Sequence, residues 1–221
     1  ESFEYFTSLI RKNGYLILKK NAQITPKIDE SVKVFTYSES EGDFHVENIR
    51  IGGEEIVFDF VSPDTKITDI HLGVPVKVNI ENAVAAIGAA SLSGVTHDEI
   101  RAAMKTFGGA KRRFDFQLKT PKIVFIDDYA HHPNELTASI QSVKQLYPEK
   151  KVTGVFQPHL YTRTRDFVDE FAQSLSLLDD VVLLDIYPAR EEPIPGITSE
   201  VIFDKITSKE KTLLKKAELL E

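Results

Sequence analysis

From residue 122 onward the chain alternates apolar runs with amphipathic stretches of helical length, and this alternation restricts its fold more than any other feature. "KIVFIDD", "KVTGVFQP" and "DVVLLDIYP" are short, rich in β-branched and aromatic residues, and bounded by polar punctuation. Between the first two, Pro133 sits where a first helical turn tolerates it, and Leu136, Ile140, Val143 and Tyr147 line one helical stripe. Between the second and third, "RTRDFVDEFAQSLSLLD" spaces Phe167, Phe171, Leu175 and Leu178 as a second stripe, and "TSEVIFDKI" reads as a third helix. Strand, helix, strand, helix, strand at these lengths predicts a parallel βαβαβ sheet with flanking helices. "KIVFIDD" is expected to be its first strand, buried on both faces.

Upstream the pattern changes. "ESFEYFTSLIRK" predicts a short helix with Phe3, Phe6 and Ile10 on one face. "YLILKK", "VKVFTYS", "FHVENIRIGG", "EEIVFDFVS" and "KITDIHLG" follow as short strands, and their connections are too short for crossover helices, which predicts an antiparallel meander. "NIENAVAAIGAASLSG" is then a helix stopped at Gly94, and "THDEIRAAMKTFGG" another, with Thr96 and Glu99 spaced as a capping box. Gly108-Gly109, followed by the cationic "AKRRF", marks the expected domain boundary. The fold class is therefore α/β: an α+β segment with antiparallel strands over residues 1–110, then a Rossmann-like parallel-sheet domain over 111–221.

Among its 221 residues the chain carries a formal net charge of -7, which argues against a nucleic-acid partner, since phosphate-backbone binding needs clustered Lys and Arg. It has no cysteine, hence no disulfide framework and no Cys-based zinc site, in keeping with a reducing compartment. No apolar run approaches the ~20 residues of a bilayer span, so no membrane partner and a cytoplasmic location are expected. The chain opens on Glu1 and its single Met is Met104, which reads as part of something longer.

In an open parallel sheet, ligands bind beyond the carboxyl ends of the strands. There the first run ends in Asp127, Asp128, Tyr129, His131 and His132, the second in Gln157, His159, Tyr161, Arg163 and Arg165, and the third in Asp185, Tyr187 and Arg190. One rim thus gathers half of the six histidines. Each tip also has a plainer reading: His132 with Glu135 can cap a helix, Asp127 or Asp128 can accept from helix-start amides, and Arg163 and Arg165 can face water. Their coincidence on one rim favours a site. A metal-dependent hydrolase using Asp127, Asp128, His131 and His159 is a minority reading, because adjacent histidines aim poorly at one ion. No G-x-S-x-G elbow is present, and none of the 11 glycines precedes a Lys, so the chain holds no G-x-x-x-x-G-K-[ST] phosphate loop. Lys111, Arg112 and Arg113 form a cationic cluster suited to phosphate or carboxylate, although composition alone favours a basic linker.

Four segments together resemble one family, the ATP-dependent Mur ligases of peptidoglycan synthesis: "NIENAVAAI" at 79–87, "FGGAKRRF" at 107–114, "DDYAHHPNEL" at 127–136 and "FQPHLYTRTRDF" at 156–167, supported by "DIYPAREEPIPG" at 185–196. The resemblance implies that residues 1–110 are the later part of a central ATPase domain and 111–221 the C-terminal domain. The UDP-binding domain, the phosphate loop and the Mg²⁺ ligands would then lie upstream, and this chain alone is expected to be inactive. It further implies ATP as cosubstrate, and UDP-N-acetylmuramate and L-alanine as the pair joined through an acyl phosphate in cell-wall biogenesis. Carried over by motif, Asp128 would hold the ATP ribose with His131 near the nucleotide, and Asn79 and Asn82 would approach the adenine. Arg113, with Arg112 beside it, would face phosphate or muramoyl carboxylate. His159 and Arg163 would orient the substrate carboxylate and the alanine, with Tyr129 alongside. Where many relatives read G-x-H-N this chain reads "VKVN", so Val78 stands in place of a His. A non-catalytic nucleotide-binding module is the alternative from another functional class. Oligomeric state is not legible in the sequence.

Overall fold

Phe44, Phe58, Phe60, Ile67, Ile70, Ile80, Val84 and Ile87 are almost wholly removed from water and pack as one core; Leu136, Phe171, Leu175, Val181, Leu183 and Ile202 belong to a second. The computed structural model describes residues 2–220, and its two cores belong to two compact units that divide between Gly109 and Ala110.

The first unit runs α1 (Ser2–Ser8), β1 (Tyr15–Lys19), β2 (Lys33–Tyr37), β3 (His45–Gly52), β4 (Glu55–Val61), β5 (Lys66–His71), α2 (Val78–Leu92) and α3 (His97–Thr106). The strands β3, β4 and β5 form the expected antiparallel meander. The pairing of β1 with β2 corrects the sequence reading: it is parallel, with Tyr15 opposite Lys33 and Lys19 opposite Tyr37. A parallel return needs about a dozen residues but not a helix, and coil residues 20–32 supply that length. The aromatic face foreseen on α1 is not buried either; Phe3 and Phe6 are exposed and Thr7 turns inward. Both helix-end signals hold, with Thr96 and Glu99 forming a reciprocal capping box and Gly94 taking φ +83 after α2. Within the meander the buried carboxylate of Asp59 accepts from Asn48 Nδ2 at 2.8 Å and from the Asp69 amide at 3.0 Å, and Lys66 Nζ lies 3.4 Å away. Burial opposes ionisation, yet these donors hold Asp59 below the usual aspartate range.

The second unit contains β6 (Asp115–Lys119), β7 (Val124–Asp127), α4 (Pro133–Leu146), β8 (Thr153–Phe156), α5 (Tyr161–Asp166), α6 (Val168–Leu175), β9 (Asp180–Leu184), α7 (Glu200–Phe203) and β10 (Glu210–Leu214). Its parallel sheet is ordered β10-β9-β8, so the β8–β9 crossover is as predicted, while the third strand is β10, which the sequence reading had not placed. "KIVFIDD" does not head that sheet. Instead β7 pairs antiparallel with β6, and Phe125 is 59% exposed rather than buried on both sides. The cause is local: Thr120 closes a tight turn through N–H and hydroxyl bonds to the Ile123 carbonyl, so "DFQLK" folds back on "VFID" as a hairpin. The second amphipathic stretch is two helices rather than one, interrupted at Phe167 (φ -128, ψ 30). No helix among the described residues is long and apolar enough to cross a membrane.

Candidate active site

The carboxyl ends of β8 and β9 are zipped beyond the sheet proper. His159 and Tyr187 form an isolated parallel bridge: the Tyr187 amide donates to the Pro158 carbonyl at 2.8 Å, and the Leu160 amide donates to the Tyr187 carbonyl at 3.0 Å. This brings the His159 and Tyr187 rings to 5.3 Å between centroids. Leu160 then adopts φ +75, an unusual conformation for a branched residue, which turns the chain sharply into α5 and sets Arg163 on its first turn. From the other side, the loop after β7 delivers Tyr129 and His131, whose rings lie 5.2 Å apart. Nη1 of Arg163 reaches towards the His131 carbonyl at 3.5 Å. Ala189, at φ +53, and Arg190 close the far wall.

Tyr129, His131, His159, Leu160, Arg163, Ala189 and Arg190 together line a cavity of about 140 Å³. At roughly 30 Å³ per liquid water, it has room for a few waters or the polar head of a small molecule, and it is too small for a whole nucleotide. Its walls are cationic and imidazole-rich, a donor set for a carboxylate or phosphate oxygen. Desolvation, then the neighbouring Arg163 and His131, push His159 below the ordinary histidine range, so its ring is neutral near pH 7. A larger cavity of about 690 Å³, lined by residues such as Ile126, Ile140, Phe156 and Leu178, is mainly aliphatic; Asp128, Lys122, Lys150 and Lys151 stand in its wall, but it holds no imidazole or guanidinium.

Other rim residues have structural duties. His132 caps α4, its Nδ1 accepting from the Asn134 amide at 3.3 Å, and its ring packs edge-on against Phe167 at 4.9 Å. Glu135 reaches back to the His131 and His132 amides at 3.0 and 3.2 Å; partial burial works against it, but these bonds keep its carboxyl below the usual range. Asp128 ties the segment before β6 to α4, Oδ1 accepting from the Phe114 amide at 3.1 Å and Oδ2 from the Ser139 hydroxyl. A carboxylate offers about four lone-pair sites, so Asp128, which is exposed, retains capacity for a ligand hydroxyl. Arg112, at φ +60, lays its guanidinium 4.8 Å from the Tyr129 ring centroid with Nε 3.9 Å from Asp127, and its carbonyl accepts from the Tyr129 amide. Arg113 is exposed beside it and contributes to the field at Glu135. Asn79 and Asn82 lie on the other unit at the start of α2, where Asn79 Nδ2 donates to the Val74 carbonyl and Asn82 Nδ2 to Asn79 Oδ1, both at 3.3 Å; Val78 beside them is exposed. Among the described residues, no three His, Asp or Glu side chains stand close enough to hold a metal ion, and the proposed quartet of Asp127, Asp128, His131 and His159 is not assembled.

One residue escaped the sequence reading. Glu191, from the loop after β9, accepts from the Thr162 amide at 2.9 Å through one oxygen and from the Thr162 hydroxyl at 2.5 Å through the other. An acid in a polar "AREEP" loop carries no periodic signal that would have marked it.

Fold and rim together define an α/β protein with a cationic, imidazole-lined pocket beyond the carboxyl ends of its parallel strands. The chain belongs to the Mur ligase family: the Mur ligase middle domain matches residues 1–90 and the Mur ligase glutamate ligase domain matches residues 112–220. It is 62% identical, over its whole length, to the UDP-N-acetylmuramate–L-alanine ligase of Parabacteroides distasonis, of which it covers 48%. It is 57% identical to the enzyme of the same name from Phocaeicola vulgatus, again over the whole chain and 48% of the relative. The chain thus spans about half the length of the curated relatives it matches. Among solved structures, the UDP-N-acetylmuramate-alanine ligase of Thermotoga maritima superposes with a TM-score of 0.72 at 23% identity, over 96% of this chain and 53% of that one. The MurF ligase of Thermotoga maritima in complex with ADP gives a TM-score of 0.65 at 18% identity, over 94% and 45%.

Proposed function

We propose that this chain forms the acceptor-binding and nucleotide-closing part of an ATP-dependent ligase that joins L-alanine to UDP-N-acetylmuramate during peptidoglycan synthesis. The names carried by relatives at 62% and 57% identity support the substrates. The observation that carries the reading is the convergence of His131, His159 and Arg163 on one small cationic pocket.

In this reaction ATP's γ-phosphoryl group passes to the muramoyl carboxylate, and the alanine amine attacks the resulting acyl phosphate to form the amide and release phosphate. No protein nucleophile is needed for either step. Arg163 would hold the alanine carboxylate, a charge-assisted bond worth ~1.5 to 3 kcal/mol. Tyr129 would wall the pocket against Arg112. His159, kept neutral by its surroundings, would accept the proton that the alanine ammonium must lose before it can attack. Asp128 would take a ribose hydroxyl with the lone pairs that Phe114 and Ser139 leave free. Asn79 and Asn82 are proposed for the adenine, and Arg113 for phosphate or muramoyl carboxylate. No three His, Asp or Glu side chains cluster among the described residues, and no step here is assigned to Mg²⁺.

The test is phosphate release that requires both ATP and L-alanine. The account expects none from this chain alone and restored release when the complementary half of a relative is supplied. Nucleotide binding without turnover in any such pairing would favour a non-catalytic binding module.

A further inference from the structure

We propose that Glu191 is a positioning residue for the amino-acid pocket: by bridging the loop after β9 to the first turn of α5, it fixes where Arg163 points. The inference rests on the ligase reading above and adds a residue to it.

The start of α5 takes a side-chain acceptor from another loop. Its N-cap, Leu160, offers no side-chain bond to the helix amides and sits at φ +75, so the first-turn amides have no acceptor in the capping residue. Glu191 supplies the missing acceptor from another loop, engaging both the amide and the hydroxyl of Thr162, the residue next to Arg163. These bonds hold the Glu191 carboxyl below the usual glutamate range. They also keep its two oxygens on Thr162, while Arg190, its chain neighbour, lines the pocket with Arg163. Together with the His159–Tyr187 bridge and the bond from Gln157 Nε2 to the Asp185 carbonyl, the Glu191–Thr162 bonds tie the loop after β9 to the segment after β8. Without them, one wall would keep its ring contact but lose the register of its guanidinium.

Glu191→Ala and Glu191→Gln separate position from charge. Both remove the same negative charge, but glutamine can still accept from the Thr162 amide and donate to its hydroxyl. In the full-length ligase, Glu191→Ala is expected to raise KM for L-alanine about tenfold, leave KM for ATP within about twofold, and be largely rescued by Glu191→Gln. Equal rises in both KM values, or no rise for L-alanine, would overturn the proposal. A second readout needs no turnover: the His159 ring titration followed by NMR in this chain. The charged and titratable groups facing His159 are Arg163, His131, Glu191 and Arg190. If Arg163 swings away when the bonds to Thr162 are lost, His159 titrates at higher pH in the alanine variant than in the glutamine variant; identical titrations overturn the inference. A parent enzyme without alanine-dependent turnover would defeat the ligase reading instead, and the titration would still decide the role of Glu191.

Discussion

His131 and His132 are adjacent, of the same residue type, and have different duties. His132 is spent on capping α4 and packing on Phe167, whereas His131 lines the pocket; the difference follows from which side of the helix start each ring leaves the chain. The sequence offered both readings for this pair, and only the backbone path after Tyr129 chooses between them. Asp128 illustrates the same tension, since its present bonds are internal. Asp128→Ala is expected to lower stability by about 1–3 kcal/mol even without nucleotide, because the half-buried Phe114 amide loses its acceptor. Chemical denaturation measures this, and an unchanged midpoint would mean that Asp128 matters only to ligand. For His159, the depressed pKa places loss of its basic form below the ordinary histidine value, so alanine-dependent kcat/KM should fall only in acid beyond that point. Replacing Arg163 with Ala should move this acid limb to higher pH, since a neighbouring positive charge is removed.

At the scale of elements, helix ends were legible because they are written in local chemistry. Thr96 with Glu99, Pro133 and Gly94 each act within a turn of themselves, and all three fall where the spacing put them. Strand partners were not legible in the same way. The apolar content of "KIVFIDD" fits a doubly buried strand, but the neighbouring β6 and the Thr120 turn give it a closer partner; likewise nothing in "YLILKK" or "VKVFTYS" specifies a parallel pair. Periodicity reports which face is apolar and is silent on who pairs with it. Two packing predictions follow from the observed elements. Glu135→Ala should cost about 1 kcal/mol at neutral pH, the usual loss when a helix-capping side chain is removed. Because the folded carboxyl titrates below its unfolded value, the difference between parent and variant melts should vanish as pH falls through the folded pKa. At Gly88 on α2, an added Cβ would lie 2.6 Å from Cδ2 of Phe44 in the middle of the core. Gly88→Ala is therefore expected to lose about 1–3 kcal/mol by overpacking, read as a lower thermal midpoint.

For the whole molecule, the double glycine and the change in composition pointed to the joint that the structure places between Gly109 and Ala110. The two cores share no residue, and the residues that line the pocket all belong to the second unit. Residues 110–221 expressed alone should accordingly melt cooperatively, and a broad, uncooperative transition would show that the second core depends on the first. The rim itself was foreseen from strand polarity, since His131, His159, Arg163 and Arg190 meet where three loops end, even though one of those loops leaves a hairpin and not the parallel sheet. The account stands most directly on the steady-state KM for L-alanine of the full-length ligase carrying Arg163→Ala. It predicts a rise of at least about tenfold with KM for ATP nearly unchanged, the loss of one charge-assisted bond in the pocket. An L-alanine KM equal to that of the parent enzyme would contradict it.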